Sequence, residues 1–459
     1  MNSSDRDTWK TVNLYQDGQE RSQSNEPQLE ECTNAKRDIG RSGSPSATAN
    51  FTSPPTSQSS PEVPERAEPS RLSGQTSTFA TQLYTISYLI FFSIFGTLAR
   101  LGLQALTVYP GAPVGTGVVW ANFGGSLIMG FLSEDRALFY HEDWGVKSTK
   151  QEKRSDEEHG NMNEARPRIL SRTASEKKQH AALKKTIPLY IGLATGFCGS
   201  FTSFSSFVRD AFLALSNVPP VPISRISSGP IPSSNVPRNG GYSFMAVLAI
   251  IIVTVALCLG ALQTGAHLAI ALEPYVPSIP YLFARRFMNR SIIFIAWLSW
   301  LGAIFMVIWP PDRPGGPIGH PNWAQENWRG DALFALVFAP VGCLLRFYAS
   351  LHLNGKLRSF PLGTFAVNIL GTALEGMFYD LQHVPLGGTI GCQVLQGLMD
   401  GFCGCLTTVS TWVSELKGLR LRHAYFYGVA SVGIGLGFMV IVMGSLQWTH
   451  GFKHPSCGS

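Results

Sequence analysis

The sequence predicts an all-α membrane protein in which two inverted four-helix repeats are joined by one linking transmembrane helix. Three observations support this fold class. Of the 459 residues, 45% are hydrophobic and 14% charged, whereas an average soluble domain is about 25% charged. Apolar segments long enough to cross a bilayer recur along the chain. The phrase GFCGSFTSFSSFV at 196–208 returns as GFCGCLTTVSTWV at 401–413, which indicates a duplicated unit.

The N-terminal segment 1–80 is predicted to be a disordered cytoplasmic tail. It consists mostly of Ser, Pro, Thr, Glu, Asn, Gln and Arg with hardly any aromatic residue until its end, a composition that cannot bury a core. Its first twenty residues contain no apolar stretch, so they do not form a signal peptide. The net charge of +6 comes largely from this tail and from segments that flank apolar stretches. We therefore expect no nucleic-acid partner.

A membrane-spanning helix needs about 20 mainly apolar residues. Nine segments are predicted to span the membrane, in chain order 83–107, 114–132, 187–213, 242–270, 291–309, 332–353, 362–380, 390–416 and 423–447. The basic segments KSTKQEKR, ARRFMNR, NGKLRS and KGLRLR follow the second, fourth, sixth and eighth of them. The positive-inside rule then predicts a cytoplasmic N terminus, an extracellular C terminus and a lipid bilayer as the partner of these helices.

The repeats are aligned by short motifs. GTLAR at 96–100 matches GCLLR at 342–346, and ANFGG at 121–125 matches VNILG at 367–371. Because a single span links the repeats, the second copy enters the membrane from the opposite side and has inverted topology. The predicted domains are a first repeat at 81–273 that includes a long basic cytoplasmic loop at 133–186, a linker at 274–330 that contains the span 291–309, and a second repeat at 331–459.

The third span of each repeat is predicted to break near a central glycine. Gly199 and Gly404 lie midway along apolar sequence and are followed by serines and threonines. Broken backbone at membrane depth must be buried in protein or line a cavity, and the freed carbonyls of two inverted copies suit a desolvated sodium ion. Small residues that allow tight helix crossing are the other explanation. The sequence leaves both open.

Asn122 and Asn368 occupy the same place in the second span of each repeat. An amide inside a membrane helix often only bonds a neighbouring helix, but its N–H groups also suit an anion stripped of water. Phe204 and Phe207 lie three residues apart on one helix face, and their ring edges carry partial positive charge. Together these residues predict an anion path.

Charged residues inside the predicted spans are candidate functional residues, because a charge in the membrane interior is costly. Arg100 and Arg346 each follow a glycine by four residues, and we expect them to fix helix packing and to make vestibules attractive to anions. Glu375, whose counterpart in the first repeat is Met129, is expected either to belong to a vestibule or to be a neutral buried acid, and the sequence leaves both open. The eight cysteines form no C-x-x-C pair, so neither a disulfide framework nor a zinc site is predicted.

These motifs resemble the CrcB/Fluc fluoride channel family, specifically its eukaryotic single-chain fluoride export proteins. The matching pieces are GTLAR and GCLLR, WANFGGSLIMG and VNILGTALEG, and GFCGSFTSFSSFVRD and GFCGCLTTVSTWVSE. The resemblance covers most of the chain from about Leu83 onward. It implies a fluoride-selective channel, not an enzyme, that exports F⁻ passively across the plasma membrane and gives fluoride resistance. It also implies that the monomeric chain acts as a pseudo-dimer.

Carried over by motif position, the resemblance implies two pores around a central structural Na⁺. The backbone carbonyls of Gly199, Thr202, Gly404 and Thr407 would hold the sodium. The second repeat has Val409 and Trp412 where the family has two phenylalanines, so the pores are expected to be unequal. The predicted pore residues are Asn122, Asn368, Phe204, Phe207, Ser205, Ser410, Tyr425 and Ser431.

Two other function classes fit parts of the pattern. An inverted-repeat secondary transporter of small cationic compounds would share the architecture, but such exporters depend on a carboxylate in the first helix, and neither LYTISYLIFFSIFGTLARLG nor LFALVFAPVGCLLRFYAS contains one. A membrane scaffold whose tail recruits partners would explain the Ser/Thr/Pro-rich N terminus. It leaves the repeated asparagine without a role.

Overall fold

The computed structural model describes residues 78–107, 117–135, 137–139, 183–218, 238–309, 332–384 and 388–452. All regular elements longer than a turn within these ranges are helices. Nearly all of the predicted tail 1–80 and most of the basic loop 133–186 lie outside the described residues.

Five helical segments make up the described part before residue 310, and four make up the part after residue 331. Two of them, α3 and α8, are interrupted, and their two parts are labelled a and b. The first five are α1 Thr78–Thr107, α2 Val119–Glu134, α3 Pro188–Leu215 (α3a to Phe201, α3b Phe204–Leu215), α4 Gly240–Leu272 and α5 Ala284–Ile308. The others are α6 Phe334–Leu353, α7 Leu362–Gln382, α8a from Gly388 to Leu406, α8b Ser410–Gly418 and α9 Leu421–Thr449.

Each predicted span coincides with one of these helices. Six of them, α1, α3, α4, α5, α6 and α9, are long and apolar enough to cross a membrane. The other three differ in ways the sequence explains: α2 has 16 residues, and α7 and α8a carry the acidic residues Glu375, Asp380 and Asp400. The described fold is therefore all-helical with six membrane-spanning candidates. Nine crossings and the inverted insertion of the second half stay predictions.

A buried lysine closes the end of α2. The Lys184 ammonium group donates to the carbonyls of Leu132, Ser133 and Asp135 at 2.9, 3.0 and 2.7 Å. The last carbonyls of a helix have no partner within the helix, and a cation near them also interacts favourably with the helix dipole. Lys184 therefore fastens the start of α3 to the end of α2.

Helices α2 and α4 pack closely through glycine. A Cβ atom added to Gly130 would collide with the carbonyl oxygen of Leu262 on α4, and one added to Gly265 would collide with that of Leu127 on α2. Small residues at such crossings let helix backbones approach each other in membranes. The close α2–α4 contact therefore depends on these two glycines.

We expect Gly265→Ala to lower the thermal unfolding midpoint of the detergent-solubilised protein. The added methyl group must push two helix backbones apart, and overpacking of this kind destabilises by about 1–3 kcal/mol. Gly260→Ala on the same helix is the matched control, because a Cβ atom added there would have no neighbour within 4 Å. An equal midpoint for both variants would show that the crossing tolerates the methyl group.

The two halves of the described chain interlock through their interrupted helices. Segment α3b packs against α7 and α9, and segment α8b packs against α2 and α4. Each half therefore supplies one wall of a helix group that belongs mainly to the other half. Helices α1 and α6 pack against each other, and α5 lies against both.

No disulfide framework was expected, and one described cysteine nevertheless forms a disulfide. Cys392, near the start of α8a, is disulfide-bonded, whereas the other described cysteines have free thiols. It lies near the end of α8a that the predicted topology places outside the cytoplasm, where disulfides persist. The free cysteines lie within the helices of the two halves; they are Cys198, Cys258, Cys343, Cys403 and Cys405.

Candidate functional site

Both interrupted helices break at a threonine. Helix α3a ends at Phe201, and Thr202 has extended backbone angles, φ −97° and ψ 150°. Helix α8a ends at Leu406, and Thr407 has nearly the same angles, φ −95° and ψ 155°. The predicted breaks therefore exist, but each lies three residues beyond the glycine from which it was predicted.

Thr202 caps the restarted helix of the other half. Its Oγ1 atom accepts hydrogen bonds from the backbone N–H groups of Val409 and Ser410, both at 3.2 Å. The first N–H groups of a helix need partners from outside it. The Ser410 hydroxyl in turn donates to the carbonyl of Cys198 at 3.1 Å. The start of α8b is thus completed by α3.

Thr407 repeats this arrangement in the opposite direction. Its Oγ1 atom accepts from the backbone N–H groups of Phe204 and Ser205 at 3.2 and 3.1 Å, and it lies 2.9 Å from the Ser205 hydroxyl oxygen. All of these groups are buried. The two breaks therefore hold each other, because α3b and α8b each find acceptors for first-turn N–H groups in the other half.

The predicted asparagines bind the backbone at the breaks. Asn122 accepts from the N–H of Ser203 at 2.8 Å and donates to the carbonyl of the same residue at 3.3 Å. Asn368 accepts from the N–H of Thr408 at 2.9 Å and donates to its carbonyl at 3.2 Å. Both side chains are fully buried. Because an amide has two N–H donors, these bonds leave one donor of each asparagine for another ligand.

Arg100 reaches from α1 to the breaks of both halves. Its Nη1 atom donates to the carbonyls of Ser200 at 2.8 Å and Gly404 at 2.9 Å, and its Nη2 atom donates to that of Asp400. The residue is 1% exposed, so its charge is directed at backbone carbonyls and not at solvent. A Cβ atom on Gly404 would overlap the guanidinium. This contact explains why that position is glycine.

Arg346 makes the corresponding contacts from α6. Its Nε atom donates to the carbonyl of Cys405 at 2.7 Å, and its Nη2 atom donates to that of Thr195 at 2.8 Å. A Cβ atom on Gly199 would overlap its guanidinium. Each arginine therefore packs against the glycine of the opposite half.

The carbonyls predicted to hold sodium lie at these breaks. The N–H groups that would bond to Gly199 and Gly404 in an unbroken helix belong to Ser203 and Thr408, and both bond to asparagine instead. The freed carbonyl of Gly404 accepts from Arg100. Carbonyl oxygens freed in broken membrane helices suit Na⁺. No group of three or more His, Cys, Asp or Glu side chains within the described ranges has the arrangement of a metal site.

An aromatic pair from both halves lies beside α9. The rings of Phe204 and Trp412 meet edge to face with centroids 5.3 Å apart, and Phe207 meets Phe204 at 5.7 Å. A Cβ atom on Gly435 of α9 would lie 3.4 Å from the Phe204 ring. The Nε1 atom of Trp412 is buried and has no acceptor among the described residues. Val409, the counterpart of Phe204, is buried but offers no ring edge.

The predicted hydroxyl residues do not all reach this region. Ser205 and Ser410 are fully buried at the breaks. Ser431 is buried on α9, where its hydroxyl donates to the carbonyl of Tyr427 at 2.7 Å. Tyr425 is 68% exposed, in contrast to the buried residues at the breaks and in the aromatic pair.

Sequence reasoning missed a half-buried carboxylate on α8b. The Glu415 carboxylate accepts from the Tyr427 hydroxyl at 2.8 Å, from the Thr364 hydroxyl at 2.6 Å and from the Asn354 amide at 3.3 Å. These bonds join three helices and the turn after α6. A signal existed, because the repeated phrase ends in an acid in both copies, Asp210 and Glu415.

Comparisons with known proteins point to one family. The family model described as "CrcB-like protein, Camphor Resistance (CrcB)" matches residues 87–229 and 333–445. "Fluoride export protein 1" of Neurospora crassa is 58% identical over 83% of this chain and 70% of its own length. "Fluoride export protein 1" of Candida albicans is 34% identical over 78% of this chain and 79% of its own.

A bacterial relative matches only part of the chain. "Fluoride-specific ion channel FluC" of Acinetobacter baylyi is 33% identical over 24% of this chain and 88% of its own length. That share is close to one of the two repeats. No solved structure matches the chain.

Proposed function

Because the chain belongs to the CrcB-like family, we propose that it is a fluoride-selective channel that exports F⁻ passively and protects its cell from fluoride. The names of the Neurospora and Candida relatives support export of fluoride, and that of the Acinetobacter relative supports a channel. The protein is then an ion channel and not an enzyme.

The observation that carries the proposal is the buried asparagine beside each broken helix. Fluoride holds its water strongly, so a pore must replace that water with donors that still let the ion leave. The remaining N–H of Asn368 and the ring edges of Phe204 and Trp412 are donors of this kind. The buried hydroxyl of Ser431 lies on the same helix as Gly435, which borders the Phe204 ring.

The two proposed pores use helices from both halves. One lies among α7, α9 and α3b and contains Asn368 and the ring pair. The other lies among α2, α4 and α8b and contains Asn122. There Val409 replaces a phenylalanine, and the aliphatic side chain cannot offer a positive ring edge to an anion. We infer that the Asn368 pore carries most of the flux.

A structural sodium ion is the proposed cofactor. The carbonyls of Gly199, Thr202, Gly404 and Thr407 would hold it. A bound sodium would add positive charge between the breaks and link the two halves. Support comes from the loss of the helical partners of Gly199 and Gly404. The chain's own contribution is the reciprocal capping by the two threonines, which fixes both breaks.

The proposed location is the plasma membrane, with a cytoplasmic N terminus and an extracellular C terminus. The single chain would act as a monomeric pseudo-dimer. An interior-negative potential drives an anion outward with about 2.3 kcal/mol per 100 mV. Export then needs no energy source other than the potential.

Ion efflux from liposomes that contain the purified protein tests the proposal. Efflux is started by dissipating the membrane potential and is followed with ion-selective electrodes. We expect rapid fluoride efflux and much slower chloride efflux. Protein-free liposomes give the leak rate. Fluoride efflux at the leak rate from monodisperse protein would contradict the channel. Uptake of a small organic cation under a proton gradient would then favour the secondary transporter.

A further inference from the structure

A buried ion pair joins α3b to α7. The Nη1 atom of Arg209 lies 2.9 Å from Oε1 of Glu375, whose side chain is fully buried, while 17% of the Arg209 side chain is exposed. Glu375 follows Asn368 on α7 by about two helical turns, so both side chains project from one helix face. The pair therefore lies along the wall that contains Asn368. In the predicted orientation it lies toward the extracellular end.

This ion pair has fewer well-formed hydrogen bonds than a structural ion pair needs. A buried pair stabilises a fold only when further hydrogen bonds satisfy both partners. Oε2 of Glu375 makes no hydrogen bond of ordinary geometry within the part of the chain that the structure describes. By contrast, the half-buried carboxylate of Glu415 accepts three hydrogen bonds. Glu375 is thus held mainly by Arg209, and the Ser205 and Ser206 hydroxyls are its further polar neighbours.

Two further carboxylates lie near Arg209. Asp210 is 3.7 Å away, and Asp400 is close enough to interact with its charge. Asp400 already accepts a hydrogen bond of 2.5 Å from Gln396. Acidic groups therefore outnumber the guanidinium at this end of the pore. An anion that passes there depends on Arg209 to offset their repulsion.

The pair has no counterpart in the other half. By the repeat offset, Met129 corresponds to Glu375 and Ser414 corresponds to Arg209. Segment α8b nevertheless packs against α2 as α3b packs against α7. An ion pair required for this packing would be expected in both halves. Its presence in one half assigns it to the pore that contains Asn368.

We propose that Glu375 is a resident anion that competes with the permeating fluoride ion for Arg209. This inference rests on the proposed function. An ion that has passed Asn368 binds to the Arg209 guanidinium in place of Glu375. As the ion leaves, the ion pair between Arg209 and Glu375 forms again. A guanidinium without a competitor would bind the anion too tightly for conduction. A carboxylate without the guanidinium would repel it.

Fluoride efflux measured against internal fluoride concentration tests this exchange. Glu375→Gln removes the competitor, so we expect the half-saturating concentration to fall by about tenfold, the effect of one charged hydrogen bond. Arg209→Gln leaves the carboxylates unopposed, so we expect the maximal efflux rate to fall by about tenfold or more. The double variant removes one of the carboxylates that Arg209→Gln leaves unopposed, and we expect it to conduct faster than Arg209→Gln alone.

Met129→Gln is the matched control, because it places the same amide at the mirror position in the other half. We expect its half-saturating concentration to equal that of the wild type. If the wild type conducts fluoride but Glu375→Gln and the double variant keep the wild-type half-saturating concentration, the competition is overturned and the channel stands. If the wild type does not conduct fluoride, the proposed function itself fails, and this inference fails with it.

Discussion

Asn368→Ala is expected to reduce fluoride efflux by about 10- to 100-fold, whereas Asn122→Ala is expected to cause a much smaller loss. A hydrogen bond to a charged group contributes about 1.5–3 kcal/mol, and each 1.4 kcal/mol corresponds to about a factor of ten. A desolvated fluoride ion loses one such donor in either variant. The expected difference arises because the Asn368 pore also contains the Phe204–Trp412 ring pair.

The two asparagines control for each other's structural role. Each accepts one hydrogen bond from the backbone of its break and donates one back to it, with lengths that differ between the halves by about 0.1 Å. Both alanine variants therefore remove the same support from a break. Any difference between them in fluoride efflux then measures ion passage rather than damage to the breaks.

Efflux from liposomes with equal amounts of monodisperse protein checks this prediction. Thermal unfolding midpoints measured in parallel compare the structural damage in the two variants. Equal losses of efflux with equal midpoints would contradict unequal pores. A larger loss in Asn122→Ala would assign the main flux to the pore beside α2 and α4.

The helices and the breaks were predictable because their signals are local. Runs of apolar residues predicted every helical segment of the described chain, and the repeated Gly, Ser and Thr phrase predicted two interruptions. The position of each break was not predictable to the residue. It depends on Thr202 and Thr407, whose capping bonds join atoms about two hundred residues apart in the sequence.

The roles of the charged residues were harder to predict because they depend on the crossing of the halves. Arg100 and Arg346 were expected both to fix packing and to attract anions at vestibules. Their burial against carbonyls follows from which helices meet, which a single span does not reveal. Glu375 received no single assignment for the same reason. Its partner Arg209 lies on a helix of the other repeat.

Loss of the Arg100 guanidinium is expected to prevent stable folding rather than to slow ion flux alone. Arg100→Met would leave three buried carbonyls without their donor. An unsatisfied backbone group in the membrane interior destabilises the fold by several kcal/mol. The total free energy of unfolding of a protein is only about 5–15 kcal/mol. We therefore expect a low yield of monodisperse protein and a strongly lowered unfolding midpoint.

Two further substitutions separate geometry from charge at this contact. Arg100→Lys keeps the positive charge but loses the planar fork that reaches several carbonyls at once, so we expect it to destabilise nearly as much. Gly404→Ala keeps the arginine but places a methyl group where its guanidinium lies. Gly102→Ala on α1 is the control, since a Cβ atom added there would have no neighbour within 4 Å. A wild-type midpoint in both Arg100→Met and Gly404→Ala would show that the halves hold together without this contact, and the reciprocal threonine caps would then have to suffice.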